Sequence, residues 1–271
     1  MTLKWDGHTH TRFCYHGNPA ELSEYVERAI ELGFTRYSVT EHPPLPDEWV
    51  VDPALMAELA MPMAELPEYF EYVREAKERY ADRIEITVGL EMDYLYGNEA
   101  FSDAMLEPYM DVLEDVVVSV HYLPGIGGMR CVDFTADDFR ETLLPYYGSM
   151  DRAAEAYFDH IEMSIAWAAK LPMRKRIGHP LLITKFSQVL PAIDEALIRR
   201  RLERLVPLLK EAGIGVDVNV AGLRVPTCGS AYAPEWFIRL CRENGIETVY
   251  GSDAHKPEHV GANWEYYESV R

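Results

Sequence analysis

Histidine placement carries the chemistry legible in this chain. Seven of its 9 histidines, His8, His10, His16, His42, His121, His179 and His255, fall with Glu91 and Asp253 where expected β-strands give way to loops. Imidazole nitrogens and carboxylate oxygens are the donors that borderline and hard divalent metals accept, and gathering so many without cations between them would be electrostatically costly. His8-Thr9-His10 puts two imidazoles on alternate residues, on one side of an extended segment, where they can grip one ion. Such a pair is unspecific alone. It gains force from Glu41-His42, Glu91, His121, His179-Pro180 and Ser252-Asp253-Ala254-His255, which recur at the ends of successive expected strands. The alternative, a set of ordinary core histidines, would require several buried imidazoles to find separate hydrogen-bond partners beside two carboxylates. The pattern therefore reads as a multinuclear metallohydrolase.

The elements that must position these residues follow from period and punctuation. Short β-like runs alternate with helical patterns about seven times, the signal of parallel βα units. The expected strands are Leu3–Asp6, Arg36–Thr40, Ile84–Leu90 ending at Glu91, Val116–Val120 delivering His121, a short run Arg176–Gly178 before His179, Ile214–Val220 with Asn219 near its end, and Glu247–Gly251 ahead of Asp253 and His255. Helices are expected from about Pro19 to a stop at Gly33, then at Glu68–Tyr80, Met150–Leu171 and Asp194–Ala212. Pro43–Pro53 and Met61–Pro67 read as parts of one long loop of the kind that shapes a substrate pocket. The prediction is an α/β fold: one TIM-like barrel domain over residues 1–271, without an eighth βα unit, whose C-terminal rim gathers distant residues into one cavity.

Composition narrows the partners. The chain is 48% hydrophobic and 26% charged, as soluble globular proteins are. No apolar run approaches the ~20 residues needed to cross a bilayer, and no basic-then-apolar leader precedes His8, so a cytoplasmic protein without membrane partners is expected. With 26 Lys+Arg against 45 Asp+Glu the formal net charge is -19, which repels polynucleotides. Oligomeric state has no signature here. Arg199, Arg200, Arg201 and Arg204 lie in a Glu-rich expected helix and read as a solvated face. Cys14, Cys131, Cys228 and Cys241 lack any CxxC spacing and are expected to be reduced. Cys14, near the expected site, reads as a small buried residue rather than a ligand.

The order of these motifs resembles the PHP family, named for polymerase and histidinol phosphatase domains. Asp6-Gly7-His8-Thr9-His10 looks like its first motif and Thr40-Glu41-His42 like its second. Gly89-Leu90-Glu91, Ser119-Val120-His121, Gly178-His179-Pro180 and Ser252-Asp253-Ala254-His255 look like the remaining metal-binding motifs, so the resemblance covers nearly the whole chain. It implies a distorted (βα)7 barrel with a three-metal site at the C-terminal rim. Carried over by motif, one ion would be held by His8, His10, Glu91 and Asp253, a second by Glu91, His121 and His179, and a third by His16, His42 and His255. Glu91 would bridge the first two. His16, a loop residue, enters on the resemblance, and Glu41 is read as the partner that orients an imidazole. These donors suit Zn, Fe or Mn. His160 and His259 match none of the motifs and read as ordinary helix and surface histidines.

The reaction expected of such a site is hydrolysis of a phosphate monoester. Hydroxide held between two metals is a strong nucleophile near neutral pH, and the metals neutralise phosphoryl charge, so no serine or cysteine nucleophile is required. Asp253, Glu91 and His255 are the expected catalytic residues, with Asp253 orienting the nucleophile. Within the family, the length, the His16 loop and the segment Asn219-Val220-Ala221-Gly222-Leu223-Arg224 are most similar to the histidinol-phosphatase type, which implies conversion of histidinol phosphate to histidinol and phosphate in histidine biosynthesis. Arg224, beyond the sixth strand, and Arg130, in the Gly-rich loop after His121, are read as phosphate clamps or equally as rim salt bridges. Tyr15, Tyr122 and Trp49 lie in expected rim loops, where aromatic rings wall an organic substrate or simply pack. Two alternatives stay open: another phosphoesterase of the same family acting on nucleotides or phosphotyrosine, and a non-catalytic metal-binding module. Against the latter, a structural site is normally closed by four ligands at one metal.

Overall fold

Short β-branched runs build the frame that carries the histidines. In the computed structural model, which describes residues 3–271, the strands are β1 (Trp5–Asp6), β2 (Arg36–Glu41), β3 (Glu85–Asp93), β4 (Asp115–Ser119), β5 (Tyr122–Gly125), β6 (Gly128–Cys131), β7 (Arg174–Ile177), β8 (Gly215–Asn219) and β9 (Thr248–Gly251). Seven of them form one parallel sheet in the order β1-β2-β3-β4-β7-β8-β9. Val116, Val117 and Val118 of β4 are fully buried, as parallel strands covered on both faces must be. The sheet closes on itself just past the ends of its outer strands, where Gly7 N donates to Tyr250 O (2.8 Å), Asp253 N to His8 O (2.8 Å) and His10 N to Ala254 O (3.0 Å). The result is the expected (βα)7 barrel, distorted because β1 is short and loop residues make its closing contacts.

Helices wrap the outside. The first, Leu22–Glu31, ends before Gly33, whose φ of +78° suits a left-handed stop. The last long one, Glu195–Ala212, starts at Asp194, which accepts from Ala196 N, and ends at Gly213 (φ +63°). On it Arg201 bonds Glu155, Asp159 and Glu162 of the helix Met150–Ala168, so this arginine ties two helices together. No described helix is long and apolar enough to cross a membrane, and the four cysteines are free.

Several boundaries differ from expectation for identifiable reasons. Glu91 is not the end of its strand, because β3 continues to Asp93 in register with β4. The stretch from Pro43 to Pro67 holds a helix, Pro53–Leu59, started by the Asp52 side chain and a proline at its first position, and a 3-10 turn, Met63–Glu65. The Gly-rich segment after His121 is an antiparallel hairpin of β5 and β6, turned by Gly127 (φ +85°) and Gly128 (φ +141°). Helices Glu99–Leu106 and Glu235–Glu243 complete βα units whose helical pattern is short.

Beneath the rim the barrel interior is not purely apolar. Arg176 of β7 and Asp115 of β4, both fully buried, form an ion pair at 2.6 Å. Asp115 also accepts from Ser38 (2.8 Å), Ser38 accepts from Trp5 Nε1 (2.9 Å), and the second arm of Arg176 donates to the Gly7 carbonyl. A Cβ on Gly7 would meet Val249 at 2.5 Å and the Arg176 guanidinium at 3.1 Å, so glycine is required where the chain passes over this pair. Arg176→Met strands the Asp115 carboxylate and is expected to cost about 3–5 kcal/mol in urea unfolding, as breaking one side of a buried pair does. Adding Asp115→Leu should recover much of that loss, and a neutral single mutant would refute the assignment.

Candidate metal centre

One carboxylate organises the rim. Glu91, 1% exposed and carried by β3, lies within salt-bridge distance of His8 (3.0 Å), His10 (3.4 Å), His42 (3.4 Å), His121 (3.6 Å) and His179 (2.8 Å). The strands deliver these partners by a common rule. His8, His121, His179 and Asp253 each stand two residues past the last residue of β1, β4, β7 and β9, where side chains turn inward over the barrel mouth. Two of them sit on unusual backbone: His179 has φ +23° and Asp253 φ +53°. Non-glycine residues held at positive φ are uncommon and concentrate at functional sites. Close packing beneath helps fix them, since a Cβ on Gly178 would lie 2.2 Å from Ser119 Oγ, which itself donates to Glu91 Oε1 at 2.6 Å.

Behind the imidazoles stands an outer ring of carboxylates. His8 Nδ1 donates to Asp217 (2.7 Å), His10 Nδ1 to Glu41 (3.1 Å) and His121 Nδ1 to Asp93 (2.6 Å), which fixes each ring and turns its Nε2 inward. Glu41 also accepts from Thr11 N and Oγ1, at 2.7 and 2.6 Å, so it is spent on orientation. Asn219 Nδ2 reaches both Asp217 (3.2 Å) and Asp253 (3.1 Å). Asp217 and Asp93 escaped the sequence reading although the signal was present: each alternates with a residue that it singled out, Asp217 with Asn219 and Asp93 with Glu91, and residues two apart on a strand share a face.

At the outer end His255 Nδ1 lies 3.3 Å from Asp253 and its Nε2 3.2 Å from His16 Nε2, while His16 Nδ1 meets the Glu58 carbonyl at 2.9 Å. His16 thus joins the cluster from its exposed loop. The groups His8/His10/Glu91 and Glu91/His121/His179 each bring three donor atoms within 4.8 Å of one another. His8 Nε2 and His10 Nε2, the ring nitrogens that face Glu91, are buried without a hydrogen-bond partner, the unmet donor capacity that a cation satisfies. The residues present fit divalent metal.

Other sequence-singled residues divide. Arg224 lines the cavity over the cluster, whereas Arg130 does not: as a strand residue of β6 its Nε donates to the Ile126 carbonyl (2.8 Å) and its guanidinium lies 3.8 Å from Asp138. Of the two readings of Arg130, phosphate clamp or salt bridge, these contacts match the salt bridge. Tyr122 lines the cavity, Trp49 packs edge-on against it with ring centroids 6.1 Å apart, and Tyr15 points to Glu65. His160 is a buried helix residue bonded to Ala156 O, and His259, read as surface, lines the cavity. Lys185 and Asp133, paired at 2.9 Å on the same wall, carried no sequence signal beyond their charge.

Charge balance follows from this crowding. Burial alone would raise Glu91, but His8, His42 and His121 outweigh it and hold the carboxylate well below its ordinary range. Burial alone would depress His10 and His121, yet the neighbouring carboxylates push them up to about 9 and about 10. In metal-free protein the charged form of His10 and His121 is thus favoured, whereas burial holds His42 well below its ordinary value. Because the folded-state values of His10 and His121 exceed the unfolded one of about 6.5, their stabilisation is full below that pH and disappears as pH rises through 9 to 10. Chelated protein is expected to lose Tm between pH 7 and 10 more steeply than metal-saturated protein, and parallel curves would refute this. Asp217→Asn, which takes the carboxylate from His8, is expected to weaken metal affinity about 10- to 100-fold in a metal titration, and unchanged affinity would show the pairing to be idle.

Known proteins resemble this chain in sequence and fold. The PHP domain model matches residues 6–221. Histidinol-phosphatase of Bacillus subtilis (strain 168) is 33% identical over 264 residues, which is 97% of this chain and 98% of the relative. The crystal structure of a Listeria monocytogenes protein assigned as a histidinol phosphatase superposes with a TM-score of 0.92 at 36% identity, covering 97% of this chain and 100% of that one. A histidinol phosphate phosphatase of Lactococcus lactis, complexed with zinc, L-histidinol and phosphate, has the same fold at a TM-score of 0.73 and 17% identity, over 98% of this chain and 93% of its own. With the family model matched from Asp6 to Ala221, across all but the last strand of the barrel, the chain belongs to the PHP family.

Proposed function

We propose that this protein hydrolyses histidinol phosphate to histidinol and phosphate, using three divalent transition-metal ions held around Glu91. The observation that carries the reading is one cavity of about 500 Å³ in which Glu91, His121, His179 and Asp253 share the lining with two cationic side chains, Arg224 and Lys185. That volume falls in the ~300–1,000 Å³ range of small-molecule sites. A full-length relative bearing the name histidinol-phosphatase supports the substrate. The net charge of -19 disfavours polynucleotide esters.

His8, His10, Glu91 and Asp253 would hold one ion, Glu91, His121 and His179 a second, and His16, His42 and His255 a third, with Zn, Fe and Mn all suited to the donors. Bound there, divalent ions supply Lewis acidity toward the phosphoryl group and a water-derived nucleophile at neutral pH. The chain's own groups do the rest. Asp253, steadied by Asn219, orients the attacking water through a carboxylate oxygen. Arg224 is anchored by Nη2 to the carbonyls of Ser252 (2.8 Å) and Asp253 (3.3 Å), while its buried Nη1 has no partner and stands ready for a phosphate oxygen. Lys185 adds a second cation. Leu55, Leu59 and Phe134 give the cavity an apolar wall for an imidazole ring, and Glu58 gives it negative character that suits an ammonium-bearing alcohol.

Phosphate release should be fastest from histidinol phosphate in a panel with p-nitrophenyl phosphate, phosphotyrosine and a nucleoside monophosphate, should vanish on chelation and should return with metal. A flat profile would remove the substrate assignment, and turnover in metal-free protein would remove the mechanism. Arg224→Ala is expected to lower kcat/KM about 10²- to 10³-fold, the usual loss on deleting one charge-stabilising donor, with partial rescue in Arg224→Lys.

A further inference from the structure

The three-ion reading leaves one close donor unused. Cys14 Sγ lies in a group with ring nitrogens of His10, His42 and His255, the four donor atoms all within 4.8 Å of one another. Cys14 is 3% exposed. The loop that carries it is fastened at both ends to the site: Thr11 N and Oγ1 donate to Glu41, and Asn18 N donates to the His255 carbonyl at 2.9 Å. Between those anchors Cys14 N donates to Thr11 O (3.1 Å) and Gly17 N to Cys14 O (2.9 Å), a turn that places the sulfur and the His16 ring toward the same cluster. A Cβ on Gly17 would come within 3.3 Å of that sulfur, so the turn is packed around it.

The donors divide between ions by their other bonds. His10 gives Nδ1 to Glu41, and its buried Nε2, without a hydrogen-bond partner, lies 3.3 Å from Asp253 and 3.4 Å from Glu91, which assigns it to the first ion. His42, His255 and Cys14 remain, and His16 adds a fourth donor 3.2 Å from His255. Zinc–sulfur and zinc–nitrogen bonds of about 2.3 and 2.0–2.1 Å put tetrahedral ligand atoms roughly 3.4–3.6 Å apart, inside the 4.8 Å that spans Cys14, His42 and His255.

We infer that Cys14 is a thiolate ligand of the third ion, beside His16, His42 and His255. The inference rests on the three-metal reading above. On binding, the S–H bond breaks, a sulfur–metal bond forms and the proton passes to solvent. A soft anionic donor at one centre of an otherwise imidazole and carboxylate cluster biases that centre toward zinc, ferrous iron or cobalt and away from manganese and magnesium.

The full chain, loaded with Co(II), tests this by metal count and near-ultraviolet absorption. Three cobalt ions per chain and a sulfur-to-cobalt charge-transfer band are expected. The band should disappear in Cys14→Ser and survive in the triple variant Cys131→Ser, Cys228→Ser, Cys241→Ser, which keeps Cys14 alone. Cys14→Ser should also hold one equivalent of metal about tenfold or more weakly, since losing even an indirect partner has that effect. A three-cobalt wild type without the band overturns the thiolate ligand while leaving the three-metal reading intact. A band that vanishes in the triple variant overturns it equally, and fewer than three cobalt ions overturns both. Should Cys14→Ser fail to fold, the wild-type and triple-variant spectra still decide.

Discussion

A carboxylate buried at the mouth of a barrel is untenable alone, because burial drives such a group to bind a proton. Glu91 escapes that outcome through the imidazoles of His8, His10, His42, His121 and His179, which surround it within 3.6 Å. Three of those imidazoles, His8, His10 and His121, are in turn held from outside by Asp217, Glu41 and Asp93. The rim is thus layered, with carboxylates outside, imidazoles between, and Glu91 at the centre. Protons on His8, His10 and His121, or divalent metal, would offset the charge that Glu91 places there. The remaining architecture can be understood as the means of holding this arrangement at strand ends that are far apart in sequence.

Rigidity is supplied from below. The Arg176–Asp115 pair fills the barrel with a directional contact and reaches the carbonyl of Gly7, the residue immediately before His8. Gly178 lets β7 and β4 approach closely enough for Ser119 to support Glu91. Above this floor His179 and Asp253 are kept at positive φ, a conformation that persists only where neighbours over-determine it. Local preference is overridden at just those residues whose side chains must point into the cavity.

Most of the inner layer was legible because histidine is scarce and β-branched runs mark strands well, so strand-end histidines stood out in the sequence. The outer layer was harder to see. Asp93 was hidden by ending β3 at Glu91, and Asp217 sits within the apolar run of β8, where it resembles an isolated polar interruption. Their period-two spacing from Glu91 and Asn219 was the available clue. The two readings of Arg130 could not be separated for a related reason: a Gly-rich segment taken as loop is a hairpin, and strand geometry turns the side chain to Ile126 and Asp138. The helix Pro53–Leu59, which brings Leu55 and Leu59 over the site, was masked by surrounding prolines although Asp52-Pro53 is itself a helix start. Lys185 and Asp133 meet only through tertiary folding, which no local pattern announces.

The junction of β1 with β9 joins the two ends of the sheet through three backbone bonds just beyond a two-residue strand. His8 and His10 lie on one side of that junction, Asp253 and His255 on the other, more than 240 residues apart in the chain. An ion gripped by His8, His10 and Asp253 would be a staple across the seam as well as part of a reaction centre. Loss of metal would then register first as opening between the chain's first and last strands, so that the state of the active site and the integrity of the barrel's circumference become a single mechanical property.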